Sequence, residues 1–267
     1  MKTKIIDAHT HIGYFPTLLT AKRNLLKSMR NENISLTLFS VDASEFENED
    51  PNSKIPSNPL IKMSQIEVNQ IGVDFCKNHP NLLRCLIWIK PHFEKNIEDL
   101  QSFYDKNKKF IKGLKIHPCL SKLRMTDKRI VPYIQFAERN NLPILVHTAK
   151  DEYSHIRYLE TVAKKYPNVT FIAAHIQLCS DNKYGIEVIK RNPNIYGDTA
   201  WVSPKSMLLC KEKDILDKII FGTDCPIDGL NTYPNLYYQT LFKNTINLTD
   251  SEWENLMFNT AKKVYKL

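Results

Sequence analysis

The chain has 267 residues, 42% of them hydrophobic and 25% charged, with a formal net charge of +8. These proportions suit a globular protein with a substantial core, and no apolar run approaches the roughly 20 residues needed to span a bilayer. The positive charge is spread in ones and twos, as at Lys108-Lys109, Lys164-Lys165 and Lys262-Lys263, which reads as solvated helix faces rather than a nucleic-acid surface.

Short β-branched or Leu-rich runs alternate with amphipathic stretches along the chain. Strands are expected over residues 4–9, 35–41, 82–89, 113–117, 144–147, 170–175, 195–198 and 218–222, because continuous apolar runs are what strands buried on both faces require. Helical periodicity falls between them, at 60–77, 96–107, 128–140, 156–166 and 185–191. The polar stretch 42–58, which contains Pro51 and Pro56, reads as a long loop after strand 2, a candidate lid. Residues 249–267 close the chain as a helix, with Thr249 or Asp250 at its start and Glu252 supplying a capping box. Eight strands with helices between them predict a single α/β domain over 1–267, a distorted (β/α)8 TIM-type barrel. A doubly wound open sheet is the alternative. The six cysteines (Cys76, Cys85, Cys119, Cys179, Cys210 and Cys225) form no Cys-x-x-Cys pair. With no room for a signal peptide before the first strand, a cytoplasmic protein is expected.

Within this frame the polar residues at strand ends converge on one mouth of the barrel. Strand one ends in Asp7-Ala8-His9-Thr10-His11. Residues i and i+2 of a strand share a face, so His9 and His11 project together as half of a metal site, with Asp7 one step deeper to hydrogen-bond a ligand histidine. Strand four contributes Lys115 and His117, strand five His147, strand six His175 and strand eight Asp224. Five of the chain's eight histidines thus fall at strand ends, a distribution that scattered packing histidines would not show. His79, His92 and His155 sit in loop or helix regions.

The chain resembles the metal-dependent amidohydrolase superfamily, in the branch of aminocarboxymuconate-semialdehyde decarboxylase and the pyrone-dicarboxylate lactonases. The matching pieces are Ile6-Asp7-Ala8-His9-Thr10-His11, Gly113-Leu114-Lys115-Ile116-His117-Pro118, Leu142-Pro143-Ile144-Leu145-Val146-His147, Ala174-His175, Phe221-Gly222-Thr223-Asp224-Cys225-Pro226 and Asn259-Thr260-Ala261. The resemblance implies one divalent metal, zinc first, on His9, His11, His147 and Asp224, with His175 beside it as acid, base or orienting group. It also makes a homodimer the expected assembly. Two positions depart from the pattern: Gln177 stands where the family often has glycine, and Cys225 where an aromatic is usual.

These residues predict a hydrolase that directs metal-activated water at a small, anionic carbonyl substrate: a lactone, amide or ester. Asp224 and His175 are its catalytic residues, and Lys115, His117 and Trp201 its substrate-binding ones. Lys115 has two readings. It is either a charged lysine that neutralises a substrate carboxylate or pairs with Asp224, or a carbamylated ligand that brings in a second metal. His117 contacts substrate or is a loop histidine, and Trp201 forms a pocket wall or packs at the rim. A non-oxidative decarboxylase on the same scaffold and a TatD-like phosphoesterase are the competing activities. A non-catalytic barrel without its metal is the competing class. Serine hydrolase chemistry has no Gly-x-Ser-x-Gly elbow to support it.

Overall fold

The computed structural model describes residues 4–13, 18–46, 59–93 and 96–267; residues 47–58 of the expected lid loop lie outside the described residues. Eight parallel strands form one sheet in chain order: β1 (Ile6–Gly13), β2 (Leu36–Asp42), β3 (Leu83–Trp88), β4 (Ile111–Ile116), β5 (Ile144–Ala149), β6 (Phe171–Leu178), β7 (Ile195–Asp198) and β8 (Ile219–Ile220). The sheet curls until its edges meet. Ala8 N–H donates to Phe221 O at 2.9 Å and His11 N–H to Cys225 O at 2.8 Å, while Asp224 N–H returns a bond to His9 O at 2.7 Å. Eight parallel strands with helices packed around them are the expected (β/α)8 arrangement.

The helices are α1 (Leu18–Asn31), α2 (Gln65–Asn78), α3 (Ile97–Asn107), α4 (Pro118–Ser121), α5 (Val131–Asn140), α6 (Ile156–Lys165), α7 (Lys183–Arg191), α8 (Pro204–Glu212), α9 (Leu236–Phe242), α10 (Asp250–Glu254) and α11 (Thr260–Tyr265). The helix expected from residue 60 starts instead at Gln65. Ser64 caps it, its hydroxyl accepting from Glu67 N at 3.2 Å while the Glu67 carboxylate accepts from Ser64 N at 2.7 Å; the preceding Pro59–Lys62 is a 3₁₀ turn. Thr249 and Glu252 form the same reciprocal box at the start of α10. Between α10 and α11 the chain widens into a π-helical turn, Asn255–Asn259, whose Leu256 carbonyl accepts from Phe221 N at 3.0 Å.

Two apolar layers hold the barrel. The larger lies between the sheet and its helices. The smaller fills the barrel interior below the site, where Ile6, Ala8, Leu38, Leu86, Leu145, Ile172 and Ile220 meet Ala261, Val264 and Tyr265 of α11. The last helix therefore plugs the floor. At about 25 cal/mol per Å² of apolar surface removed from water, such a plug contributes several kcal/mol.

Strand β1 does not stop at His9, and its register carries a correction. Asp7 pairs with Thr37, yet Thr10 pairs with Phe39, so β1 has one residue more than β2 between these points. That bulge lets Ile6 and Ala8 face inward below it and His9 and His11 face inward above it. Asp7 is turned to the outer face, where its carboxylate accepts from Thr223 Oγ1 at 2.5 Å and Tyr233 Oη at 2.8 Å. It does not reach a site histidine side chain.

Candidate metal centre

The centre starts from His9, fully buried and held at both ring nitrogens. Nδ1 lies 2.7 Å from Asp198 Oδ2, and Nε2 lies 2.7 Å from Lys115 Nζ and 3.1 Å from Asp224 Oδ1. An ammonium only donates, so Nε2 carries the lone pair and Nδ1 the proton given to Asp198. Gly222 makes room for this ring, since a Cβ there would come within 2.7 Å of His9 Cβ. His11 is arranged alike: Nδ1 is 2.6 Å from Asp42 Oδ2 and Nε2 is in close contact with Asp224 Oδ1. The second Asp224 oxygen accepts the Trp201 indole N–H at 3.0 Å. Ring atoms of His9 and His11 and a carboxylate oxygen of Asp224 thus lie within 4.8 Å of one another, as do those of His9, His175 and Asp198.

A second chain of imidazoles runs alongside. His175 Nδ1 is 3.1 Å from the Ala200 carbonyl, which can only accept, so the proton sits on Nδ1 and Nε2 is free to accept from His147 Nδ1 at 3.1 Å. That leaves His147 Nε2 unprotonated. His117 stacks on His147, ring centres 3.9 Å apart and 12° from parallel. Its Nδ1 accepts from Leu120 N at 3.3 Å, so Nε2–H is its donor.

The backbone is strained at these side chains. His175, Ile176, Gln177, Trp201 and Asp224 all have φ between 47° and 71°, a region costing non-glycine residues of order 1 kcal/mol or more each. Buried Asn182 holds the first three, its Nδ2 donating to His175 O at 3.0 Å and Ile176 O at 2.9 Å. Gln177, at φ 71°, occupies a conformation that favours glycine, and its Oε1 accepts from Ile156 N at 3.2 Å.

Burial and charge set the protonation states. Burial disfavours a charged His11, but the carboxylates of Asp42 and Asp224 outweigh it and hold the imidazole up to about 10. Asp224 is lowered well below the usual range despite its burial, by His11, His9 and His175. Burial, reinforced by Lys115, pushes His9 well down and His117 to about 3; burial lowers His175 to about 4. Asp198 rises to about 6 through burial. The neutral imidazoles of His9 and His175, with His11 held between the carboxylates of Asp42 and Asp224, form a donor set that fits a divalent cation, which would take the place of the proton His11 shares with Asp224.

The amidohydrolase family matches residues 6–267. The chain belongs to that family. No curated protein matches it in sequence. Solved structures share the fold at low identity. One is 5-carboxyvanillate decarboxylase from Novosphingobium aromaticivorans, complexed with manganese and a nitrobenzoic acid, at 11% identity and TM-score 0.72 over 100% of this chain and 97% of that one. Another is a probable 2-pyrone-4,6-dicarboxylic acid hydrolase from Acinetobacter baumannii with citric acid bound, at 11% and 0.69 over 99% and 100%. A third is 2,6-dihydroxybenzoate decarboxylase complexed with 2,6-dihydroxybenzoate, at 12% and 0.72 over 99% and 100%.

A cavity of about 580 Å³ opens onto the centre, lined by His11, Asp42, Ser44, Lys115, His117, Leu120, His147, Leu178, Trp201, Asp224 and Ile227. His11, Lys115, His117, His147, Trp201 and Asp224 come together here, with His9 and His175 buried just beneath; Asp7 faces away, and His147 lines the cavity without joining either group of ligand atoms that converge within 4.8 Å. Arg84, Arg124 and Arg157 do not join them: they bind Pro80 O and Leu83 O, Glu152, and Tyr158. Two acidic residues escaped the sequence reading, Asp42 and Asp198. Both close a strand, β2 and β7, so the rule that found Asp224 would have found them had it been applied to every strand. No helix among the described residues is long and apolar enough to cross a membrane.

Proposed function

We propose that this member of the amidohydrolase family is a metal-dependent hydrolase acting on the carbonyl carbon of a small lactone, amide or ester. The convergence of His9 Nε2, His11 Nε2 and Asp224 Oδ1, with each histidine Nδ1 turned to a carboxylate, carries the reading. His9, His11 and Asp224 would hold one divalent ion, zinc first, with His147 supplying its bare Nε2. Bound there, the ion supplies Lewis acidity to polarise a carbonyl and acidify water.

The chain's own groups do the rest. Asp198 and Asp42 fix the tautomer and aim of the two β1 histidines, as carboxylates behind ligand imidazoles do. Asp224 Oδ2 gives one lone pair to the Trp201 indole and keeps another to take a proton from attacking water and pass it to the leaving group. His175, with both nitrogens engaged, orients His147. His117 offers its Nε2–H to a substrate oxygen, and Trp201, Leu120, Leu178 and Ile227 wall off an apolar substrate body. Lys115 is the one lysine or arginine among the described lining residues. Its ammonium spends one N–H on His9 and has two more donors with which to meet an anionic substrate group.

Decarboxylation is the second reading, favoured by the same apolar walls, against which a substrate carboxylate loses hydration before it departs as CO₂. Turnover in H₂¹⁸O separates the two: hydrolysis places one ¹⁸O in the acid product, whereas CO₂ release without incorporation overturns the hydrolase. The Asp224→Asn protein should stay folded by circular dichroism and lose turnover by at least about 100-fold. Full activity in that variant removes Asp224 from the chemistry. One metal equivalent per chain is expected by elemental analysis, and two would restore the carbamylated Lys115.

A further inference from the structure

Trp201 lines the cavity, but its indole N–H is not turned to the open volume. It donates to Asp224 Oδ2 at 3.0 Å, the oxygen opposite the one that meets His9 and His11. The residue is held there at a backbone cost, with φ at 58°, and Asp224 itself is left-handed at 66°. A buried tyrosine ties the two strained loops together. Trp201 N–H donates to Tyr238 Oη at 3.1 Å, and the same hydroxyl donates to Thr223 O at 2.7 Å, next to Asp224. Tyr238 also meets the indole edge-on, ring centres 6.1 Å apart. A hydrophobic wall requires none of this, since any aromatic ring in relaxed backbone would serve. The other two tryptophans differ: Trp88 Nε1 donates to Ala43 O and Trp253 Nε1 to Leu241 O, both main-chain carbonyls.

We infer that Trp201 is a positioning residue, whose indole N–H locks the Asp224 carboxylate so that Oδ1 alone faces the histidine pair. The proposal rests on Asp224 being a metal ligand. A carboxylate without a partner on its outer oxygen rotates about its Cα-side bonds, and the ordering lost must then be supplied when a cation binds. Removing such a partner behind a ligand weakens metal affinity by about 10–100-fold.

The test is Zn²⁺ affinity of the full chain, by competition with a chromophoric chelator, for wild type, Trp201→Phe and Asp224→Ala, with thermal melts alongside. Phenylalanine keeps an aromatic wall and removes only the donor. Expected are tight binding by wild type, loss in Asp224→Ala, and a 10–100-fold weakening in Trp201→Phe at nearly unchanged melting temperature. Unweakened affinity in Trp201→Phe overturns the inference while leaving the metal centre standing. Equal affinity of wild type and Asp224→Ala overturns the metal reading itself, and this inference with it. A second readout needs no Trp201 variant. Three indole N–H resonances are expected in the ¹⁵N spectrum, and Asp224→Ala should shift one of them strongly upfield. If none moves, the hydrogen bond does not exist in solution and the proposal falls.

Discussion

At the scale of single residues, the site is built from side chains whose partners were chosen by folding rather than by spacing. Asn182 shows the dependence most directly. It satisfies the carbonyls of a left-handed run that seats His175, and Asn182→Ala leaves both carbonyls buried and unpaired while freeing the strain. A loss of about 2–4 kcal/mol is expected in denaturant unfolding, with at least a tenfold fall in turnover as His147 loses its aim. Asp7 makes the complementary case outside the site. Asp7→Ala orphans the hydroxyls of Thr223 and Tyr233, so stability should fall by about 2–4 kcal/mol. Because Asp7 holds the β8 loop to β1, the same variant should also loosen metal binding. A variant as stable as wild type would show that the outer network does not close the barrel. Asp7 was read from the sequence as a partner of a ligand histidine; the period-two argument behind that reading is sound for a regular strand and fails across a bulge.

At the scale of elements, the strands were legible because both of their faces are buried, which leaves an unbroken apolar run. Helix starts were legible where a capping residue stood, as at Thr249, and were misplaced where a 3₁₀ turn preceded the cap, as at Ser64. Contacts between elements were not legible at all. Glu160 of α6 takes Arg191 of α7 in a fork, at 2.8 and 2.6 Å, with Lys164 at 2.8 Å on the same carboxylate. These partners, Arg191 foremost, lower Glu160 to about 2. A carboxylate held below its unfolded value of 4.5 stabilises the fold above that pH, and the contribution disappears as pH falls from about 4.5 towards 2. With the two basic partners largely exposed, the effect is about 1 kcal/mol. Glu160→Gln should therefore destabilise the protein at pH 7 by that amount and converge with wild type near pH 2, as read from urea midpoints across the range.

At the scale of the whole molecule, the barrel is closed from below by α11, and its closure carries a prediction of opposite sign. Tyr265 lies in the barrel floor, 2% exposed, with no hydrogen-bond partner for its hydroxyl among the described residues. Tyr265→Phe removes a dehydrated polar group without altering the packing, so the melting temperature should rise, by about 1–2 kcal/mol of stability. Tyr265→Ala should cost about 3–5 kcal/mol by opening a cavity under the site. A fall in melting temperature for the Phe variant would mean that the hydroxyl has found water. The sequence by itself determined the strand count, the parallel order that eight βα alternations impose, and the polar residues delivered to one rim, because apolar periodicity and chain order survive unfolding. Only the tertiary structure decided which carboxylate stands behind which histidine. Asp42 and Asp198 lie 31 and 189 residues from their partners His11 and His9. Likewise, the bulge that parts Asp7 from the site, and the strained turns that aim His175, Trp201 and Asp224, arise from pairing between distant segments, and no local pattern encodes them.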